Sequence, residues 1–449
     1  MAVPFLWKNP ARKCYLTDNA CRILFNVILS HSSEESRNNM KNQGIKFFTE
    51  IYEQPLFNYI SFWKHLDLNF LEFIMSVCVK DKSKIPIIRN EMLNLFDINT
   101  KFISLSIQSI PRLSYLMTGN KYCFSKLEYF SCCSNTNSNF LEGLGSINTS
   151  IKKLKFDIMA HINNFGIARL IEVQKSLKEV NFFYKYKYIN NELYHKTLEE
   201  SLIKCGDTIQ CLRIDWKPIT KFLSYLVNLI NLEITNSCYD YTNWSTLENV
   251  SLPLLRILKT HQVPSLTLAS LIKNTKGNLI EINVNYQDID DGMVTQAIYQ
   301  NCPNLCYLKL STININTLDF ENLLINCQFL VGLHVVGMFG GNIEWDKLLE
   351  ILAKFSPTSL FKFKFSSLAS KTLKLFLENW KGRHPMLLQI ISRDAEQKQR
   401  FRLQQQLGSL FQLYKEKGII KKYDFEYCEE IHYEDFEWIQ KRNSEGMRE

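Results

Sequence analysis

Apolar residues recur along the chain in a short pattern, apolar-x-x-apolar-x-apolar, at intervals of about 25 residues. Copies of the pattern begin at Phe102, Leu127, Ile151, Leu177, Ile209, Leu229, Leu279, Leu305, Leu330 and Leu360, with a weaker copy at Leu254. Eight of the ten intervals between successive copies fall between 20 and 26 residues. Because apolar residues are common, one copy means little, but the regular interval predicts a repeated structural unit.

Each copy of the pattern is followed by residues with helical spacing. Met293, Ala297 and Ile298 lie on one predicted helix face, and Phe320, Leu323 and Leu324 do so in the next unit. Each unit therefore predicts a short strand, a turn and a helix. Since one such unit cannot bury its apolar face alone, the units are expected to stack into an α/β solenoid with one continuous core.

Two cysteines stand at matching positions in this period. Cys302 and Cys327 are 25 residues apart, and each precedes an apolar anchor, Leu305 or Leu330, by three residues. The chain has no CxxC pair and no histidine at ligand spacing from these cysteines, so we interpret them as the ends of helices and not as a metal site. The run "CPNLCYLKL" resembles the cysteine-containing leucine-rich repeat, in which such a junction ends the helix and opens the strand.

The pattern predicts four regions along the chain. Residues 13–100 do not follow the repeat and are predicted to form a helical N-terminal cap, and residues 101–392 hold the repeats. Residues 393–449 are predicted to form a C-terminal cap of helix and strand, in which Gly418 ends the long helix. The acidic and aromatic stretch Glu429–Trp438 in this cap is interpreted as a solvated surface, with a peptide-binding site as the alternative.

The first twelve residues resemble a different element. The run Pro4-Phe5-Leu6-Trp7-Lys8-Asn9-Pro10 resembles the C-terminal exit of an F-box, and the whole chain resembles fungal F-box proteins with leucine-rich repeats. The resemblance implies that residues 1–12 are an F-box remnant in which Phe5, Leu6 and Trp7 touch the Skp-type adaptor of a cullin ubiquitin ligase. The helical body of the F-box is missing ahead of this run, and either a start upstream or a natural loss of adaptor binding would account for that.

Composition narrows the class of function. A formal net charge of +8 without a long basic run argues against nucleic-acid binding, although the alternating Lys and Tyr of residues 184–189 leave it as a third alternative. We find no catalytic or cofactor motif, so we expect no enzyme, no cofactor and no bound metal. The 13 scattered cysteines and the absence of a signal peptide or a membrane-length apolar run predict a cytoplasmic or nuclear protein, monomeric outside its complex.

Function is then expected on the surface that the strands expose. Strand side chains alternate, so residues beside the anchors are predicted to line the concave side of the solenoid. These residues mix both charges with amides and one aromatic ring, which suits a target protein: Arg213, Asp215, Asn231, Glu233, Glu281, Asn283, Tyr307, Lys309, His334, Lys362 and Lys364. The resemblance implies that the chain is a substrate-recognition subunit of an SCF-type ubiquitin ligase, and the alternative is a repeat scaffold or binder without a ubiquitin role.

Overall fold

The structure is a computed structural model of the 449-residue chain. It describes residues 7–12, 16–45, 55–96, 100–107, 121–159, 161–185, 191–236, 244–285, 292–312, 316–337, 344–366, 370–392 and 397–427. The chain divides into two compact units, Met1–Cys211 and Leu212–Glu449.

The first unit begins with helices and continues as alternating strands and helices. Its helices are α1 (Asp18–Ser30), α2 (Glu34–Asn42), α3 (Leu68–Cys78), α4 (Ile85–Leu93), α5 (Ser138–Ile147), α6 (Phe165–Glu172) and α7 (Glu192–Ile203). Its strands are β1 (His65–Asp67), β2 (Ser104–Ile107), β3 (Tyr129–Cys133), β4 (Lys153–Ile158) and β5 (Glu179–Tyr184). These five strands pair in chain order, and every pair is parallel.

The second unit repeats the alternation. After β6 (Cys211–Ile214), whose first residue closes the first unit, its strands are β7 (Asn231–Thr235), β8 (Ile257–His261), β9 (Glu281–Asn285), β10 (Tyr307–Thr312), β11 (Gly332–Gly337), β12 (Lys362–Ser366), β13 (Met386–Ser392) and β14 (Ile420–Tyr427). Its helices are α8 (Ser265–Lys273), α9 (Met293–Asn301), α10 (Thr317–Asn326), α11 (Trp345–Phe355), α12 (Ser370–Asn379) and α13 (Gln397–Glu416). Strands β7 to β14 pair in parallel and in chain order.

This architecture is a leucine-rich-repeat solenoid, as the period predicts. The anchors stand in register from strand to strand: Leu308 pairs with Ile282 on one side and with Leu333 on the other, and all three are fully buried. Rings from helix and strand meet in the same core, as where Phe363 lies edge-on to Phe376 with ring centroids 5.6 Å apart. Because no single strand–helix repeat buries its apolar face alone, packing between neighbouring repeats stabilises the fold.

The weak copy of the pattern at Leu254 is displaced by one residue. Leu254 is 48% exposed, while Leu255 and Leu258 are fully buried. The third core position of this strand is Thr260, which is 1% exposed. Because Thr260 is polar, the pattern is not recognisable at its true position. The prediction therefore takes Leu254 as the anchor in place of Leu255, and the residues predicted to face outward are wrong by one position as well.

The sheet also extends beyond the predicted repeats. Within residues 13–100, predicted as a helical cap, the structure forms α1 to α4 but also β1, whose residues His65 to Asp67 pair with Ser104 to Ser106. At the other end α13 and β14 follow the predicted order, and β14 joins the sheet beside β13. Gly418, with a φ of 72°, follows the end of α13, as predicted.

The junction between helix and strand holds one inward-facing polar or thiol residue in many repeats. In the first unit, Asn148 donates from Nδ2 to the carbonyls of Phe124 (3.1 Å) and Leu127 (2.9 Å) in the repeat before it. In the second unit this position holds Cys302 and Cys327, each directly after a helix and each fully buried. The prediction that these cysteines mark helix ends is confirmed, and burial raises the pKa of both thiols to about 12.

Candidate binding face

Alternate residues of β7 to β14 point away from the helices and form a surface that we name the second strand face. It has two rows that run across the strands at successive outward positions. One row holds Asn231, Ile257, Glu281, Tyr307, Gly332, Lys362, Leu387 and Lys422. The other row holds Glu233, Lys259, Asn283, Lys309, His334, Lys364, Gln389 and Asp424. All the sequence-predicted residues from β7 to β12 therefore lie together on one face.

The middle of this face is buried although it lies opposite the core. The exposed fractions of its polar residues are 3% for Asn283, 6% for Lys309, 2% for His334, 2% for Lys362, 0% for Lys364 and 0% for Gln389. Neighbours in a single layer can shield the methylenes of a lysine, but complete burial of its ammonium group requires a cover over the face. The middle of the second strand face is thus a covered surface and not a solvated one.

The buried cations give this surface a positive character. The eight row positions of β10 to β13 include three lysines and no acidic residue. Lys362 Nζ lies 3.3 Å from the Tyr307 hydroxyl and 5.3 Å from the centre of its ring. Both contacts stabilise the ammonium group of Lys362.

Buried hydrogen-bond acceptors stand beside the cations. The side-chain carbonyl oxygens of Asn283, Asn285 and Gln389 are buried and receive no hydrogen bond from the part of the chain that the structure describes. The Nε2 of Gln389 donates to the Asp424 carboxylate at 3.1 Å, so only its oxygen is unused. An unsatisfied buried carbonyl destabilises the protein by about 1–3 kcal/mol, which a donor such as a backbone N–H would relieve.

Apolar outward positions adjoin the same surface. Val336 on β11 and Leu387 and Ile391 on β13 face away from the helices, and they are 7%, 9% and 6% exposed. These side chains are therefore already shielded from water, like the polar residues beside them. The face thus combines lysines, unused acceptors and apolar side chains within five neighbouring strands.

The charges at the start of the face pair with one another. Arg213 donates from Nε to Asp215 Oδ1 at 3.1 Å and from Nη1 to Glu233 Oε1. Farther along, Lys259 Nζ lies 3.6 Å from Glu281 Oε1. Arg213 of β6 and the adjoining Asp215 therefore lie beside the start of the face, and the charges of Glu233 and Glu281 on the face are paired.

Sequence reasoning missed several residues of the face. Lys259 was missed because the displaced anchor at Leu254 places the wrong residues outward. Gln389, Leu387 and Ile391 were missed because β13 carries no recognisable copy of the pattern. The run "MLLQIIS" contained a usable signal. Its one polar residue between apolar ones, Gln389, predicts the side of the strand that faces away from the core.

The residues predicted to touch an adaptor are only partly described. Phe5 and Leu6 lie outside the described residues. Trp7 is partly buried and stacks on Tyr59 with ring centroids 4.8 Å apart, and the Lys8 carbonyl accepts a hydrogen bond from the backbone N–H of Lys64 at 3.0 Å. The exit run is therefore packed against the first unit at Trp7.

The described residues form neither a metal-binding cluster nor a membrane-spanning helix. In the part of the chain that the structure describes, no group of three or more His, Cys, Asp and Glu residues could hold a metal ion. Among the same residues, no helix is both long enough and apolar enough to cross a bilayer.

Comparison with known proteins gives a likeness of fold only. No family model matches the chain, and no curated protein matches it. Among solved structures, it is similar to the leucine-rich repeat-containing protein LegL7 from Legionella pneumophila, with 13% identity over 67% of this chain and 92% of that one and a TM-score of 0.41. The assignment to the leucine-rich-repeat fold rests on the strands, helices and register described above.

Proposed function

We propose that the chain is a protein-binding solenoid and that the second strand face binds an extended segment of a target protein. The observation that carries the proposal is the buried basic row of Lys309, Lys362 and Lys364. A buried ammonium group is strongly destabilising unless an anion or hydrogen-bond acceptor meets it. The segment that fits this face carries several carboxylates.

The unused acceptors favour a polypeptide over a nucleic acid. Asn283, Asn285 and Gln389 present carbonyl oxygens, which need donors, and a polypeptide supplies a backbone N–H at almost every residue. A phosphate group offers only acceptors. The apolar positions Leu387 and Ile391 likewise suit side chains of a peptide and not a phosphate backbone.

We propose further that the bound target is presented for ubiquitination, with the chain as the substrate-recognition subunit and with no catalytic residue of its own. The support is the resemblance of residues 4–10 to an F-box exit and of the whole chain to F-box proteins with leucine-rich repeats. A ligase core would then act on the target by proximity. A scaffold that binds the same segment without a ubiquitin role remains the second candidate.

We propose a cytoplasmic or nuclear location for this activity. Eight cysteines that the structure describes are buried, namely Cys21, Cys78, Cys123, Cys132, Cys133, Cys205, Cys302 and Cys327, and none of them forms a disulfide with another described residue. Buried reduced thiols are typical of a reducing compartment.

Selection from a displayed library of random dodecapeptides tests the binding proposal. The full chain should enrich peptides that combine Asp or Glu with aromatic or aliphatic residues. Lys309→Met with Lys364→Met should remove that enrichment, whereas Lys153→Met with Lys155→Met, on the strands of the first unit, should leave it unchanged. Enrichment that is the same in all three proteins, or that lacks acidic residues, would contradict the proposal.

Binding of the purified Skp-type adaptor tests the ligase proposal separately. We expect the full chain, extended by any in-frame coding sequence upstream of Met1, to retain the adaptor on a size-exclusion column. If no form of the chain binds the adaptor while the peptide selection succeeds, the scaffold candidate is supported instead.

A further inference from the structure

We propose that the outer stripe of α10, which consists of Leu318, Ile325 and Phe329, binds a basic amphipathic helix of a partner protein. These three side chains are 66%, 45% and 61% exposed, although residues of these types are among those most often buried in proteins. The stripe faces away from the sheet, so this second binding surface is independent of the function proposed for the second strand face.

The helical period places the stripe on the side of α10 that points away from the core. Ile325 follows Leu318 by seven residues, or about two helical turns, so both side chains lie on one face. Phe329 follows in the turn that connects α10 with β11. The opposite face of the helix holds the fully buried residues Phe320, Leu323 and Leu324.

Hydrogen bonds fix both ends of the outer stripe. The Oδ1 of Asn316 accepts a hydrogen bond from the backbone N–H of Leu318 at 3.0 Å. At the other end, the Oγ of Ser359 in the next repeat lies 2.8 Å from the carbonyl oxygens of the residues before and after Phe329. An apolar surface that is already ordered loses less conformational entropy when a partner binds it.

The repeat does not require apolar residues at these positions. The preceding repeat can be aligned by the buried cysteine that follows each helix. At 25 residues before Ile325 and Phe329 it holds Gln300 and Asn304, which are both exposed. α9 forms with these polar residues and packs against α10. The apolar replacements in α10 are the reason for proposing a partner here.

The charges around the outer stripe are mostly negative. α9 has no charged side chain, and those of α10 are Asp319 and Glu321. Residues 344–355, which include α11, hold three carboxylates and two ammonium groups, and Lys347 Nζ lies 2.6 Å from a carboxylate oxygen of Glu344. Since the whole chain has a formal net charge of +8, this acidic surface is local, and Lys or Arg residues of a partner complement it.

The occupant that fits the outer stripe is a helix. The backbone groups of α10 are bonded within the helix, so an extended segment cannot pair with them as it could with a sheet edge. A partner helix satisfies its own backbone groups. It presents apolar residues at i and i+7, which are about 10 Å apart, as are Leu318 and Ile325.

Two other occupants fit the charges less well. A second copy that met the stripe with its own stripe would bring its Asp319 and Glu321 against the same carboxylates. The acidic and aromatic stretch Glu429–Trp438 lies outside the described residues, and its sequence contains no Lys or Arg that would complement the acids around the stripe.

The experiment measures binding of two fluorescent peptides to the full chain by anisotropy. Both peptides have 21 residues and the same composition of Leu, Lys and Ala. In the amphipathic peptide the leucines recur at helical spacing and form one face, whereas in the scrambled peptide they do not. We expect the amphipathic peptide to bind at least tenfold more tightly than the scrambled one.

Matched variants locate the binding of the amphipathic peptide. Ile325→Gln with Phe329→Asn introduces the residues of the preceding repeat and should weaken binding at least tenfold. Leu375→Gln with Leu413→Gln removes two exposed leucines of α12 and α13 and should leave binding unchanged. Circular dichroism melts check that each variant is folded.

A third variant tests the charge of the partner. Asp319→Asn with Glu321→Gln removes both carboxylates of α10 and should weaken binding of the amphipathic peptide at low salt. Because salt screens exposed charges, this variant and the wild-type chain should bind more nearly alike at high salt. An unchanged affinity at low salt would contradict the basic character of the partner.

The remaining outcomes decide the proposal. Equal binding of the two peptides, or no binding of either, would overturn it. So would binding that survives Ile325→Gln with Phe329→Asn or that falls equally with Leu375→Gln and Leu413→Gln. Light scattering of the wild-type chain over a hundredfold range of concentration should give the monomer mass. A dimer that Ile325→Gln with Phe329→Asn dissociates would identify a second copy as the occupant and would also overturn the proposal.

Discussion

The strand faces of the two units differ although the same repeat builds both. In the first unit, Lys153 is exposed and lies 2.9 Å from Glu179, and the buried acid Asp157 lies 2.9 Å from Lys185. In the second unit, the lysines of β10 and β12 are buried.

The difference shows which positions of a repeat are free to carry function. The core positions hold the same kind of residue in both units, because each must fill the space between strand and helix. The outward positions meet no such demand, so exposed and locally paired charges can occupy one face and buried lysines another. A covered basic row in a fold that does not require it is the reason for proposing a binding surface there.

Reversing the charge of one lysine on each face should give the largest difference in stability between the two units. Lys364→Glu should destabilise the second unit by about 3–5 kcal/mol, because an anion replaces a fully buried cation opposite its partners. Lys155→Glu removes an ammonium 4.8 Å from the Phe183 ring at a partly exposed site and should destabilise by about 1 kcal/mol or less. Urea unfolding followed by circular dichroism measures both.

Equal effects of these two reversals would contradict the difference between the faces. If Lys364→Glu is tolerated, the side chain at position 364 is accessible to solvent, and the second strand face is then open like the first. Lys364→Met is the control for lost charge without a new one, and it should be less destabilising than the reversal.

Low pH should destabilise the first unit, because a helix of this unit buries a neutral histidine. His195 on α7 is fully buried, its Nε2 lies 2.6 Å from the Tyr184 hydroxyl, and burial lowers its pKa from 6.5 to about 4. The unfolded state therefore binds this proton more readily. The stability that the neutral ring contributes is complete above pH 6.5 and is lost as the pH falls towards 4, about 3 kcal/mol in full.

The matched variant is His195→Gln, which cannot take up the proton. It is expected to lower stability at pH 7 but to lose about 2–3 kcal/mol less than the wild-type chain between pH 7 and pH 4.5. The measurement is the free energy of unfolding of the first unit at both pH values. The same loss in both proteins would show that the ring is protonated in the folded state.

The repeat could be predicted from the sequence because each copy depends on residues that are close together in the chain, and the same spacing recurs in every copy. Leu305, Leu308 and Leu310 satisfy one packing rule, and Cys302 ends its helix, so the fold follows from their spacing. Thr260 breaks the rule by placing a polar residue in the core, and the outward set of β8 was lost with it. β1 was missed since it lies in a region read as helical.

The rows of the face were predictable, but their burial was not. Alternation in a strand places Lys309 and Lys364 outward, and a sequence alone then predicts solvated side chains. What covers them depends on contacts between residues far apart in the chain, which no local pattern records. Thus the positions of the candidate site could be derived from the sequence, while their burial, on which the proposed function rests, is visible only in the structure.

The smallest contrast concerns the ion pairs at the edges of the two faces. Arg213→Met removes a guanidinium that meets both Asp215 and Glu233, and Asp215 is only 5% exposed. The buried carboxylate loses a charged partner, so we expect the second unit to be destabilised by about 1–2 kcal/mol. Lys153→Met breaks the pair with Glu179, but its side chain is 57% exposed, and solvent screening should keep the effect below about 0.5 kcal/mol. Thermal melts at low and high salt separate the two cases, because salt should weaken the exposed pair and leave the buried one nearly unchanged. Equal and salt-sensitive effects of the two substitutions would show that Arg213 is solvated. They would contradict the interpretation of Arg213, Asp215 and Glu233 as an ordered, buried set of ion pairs.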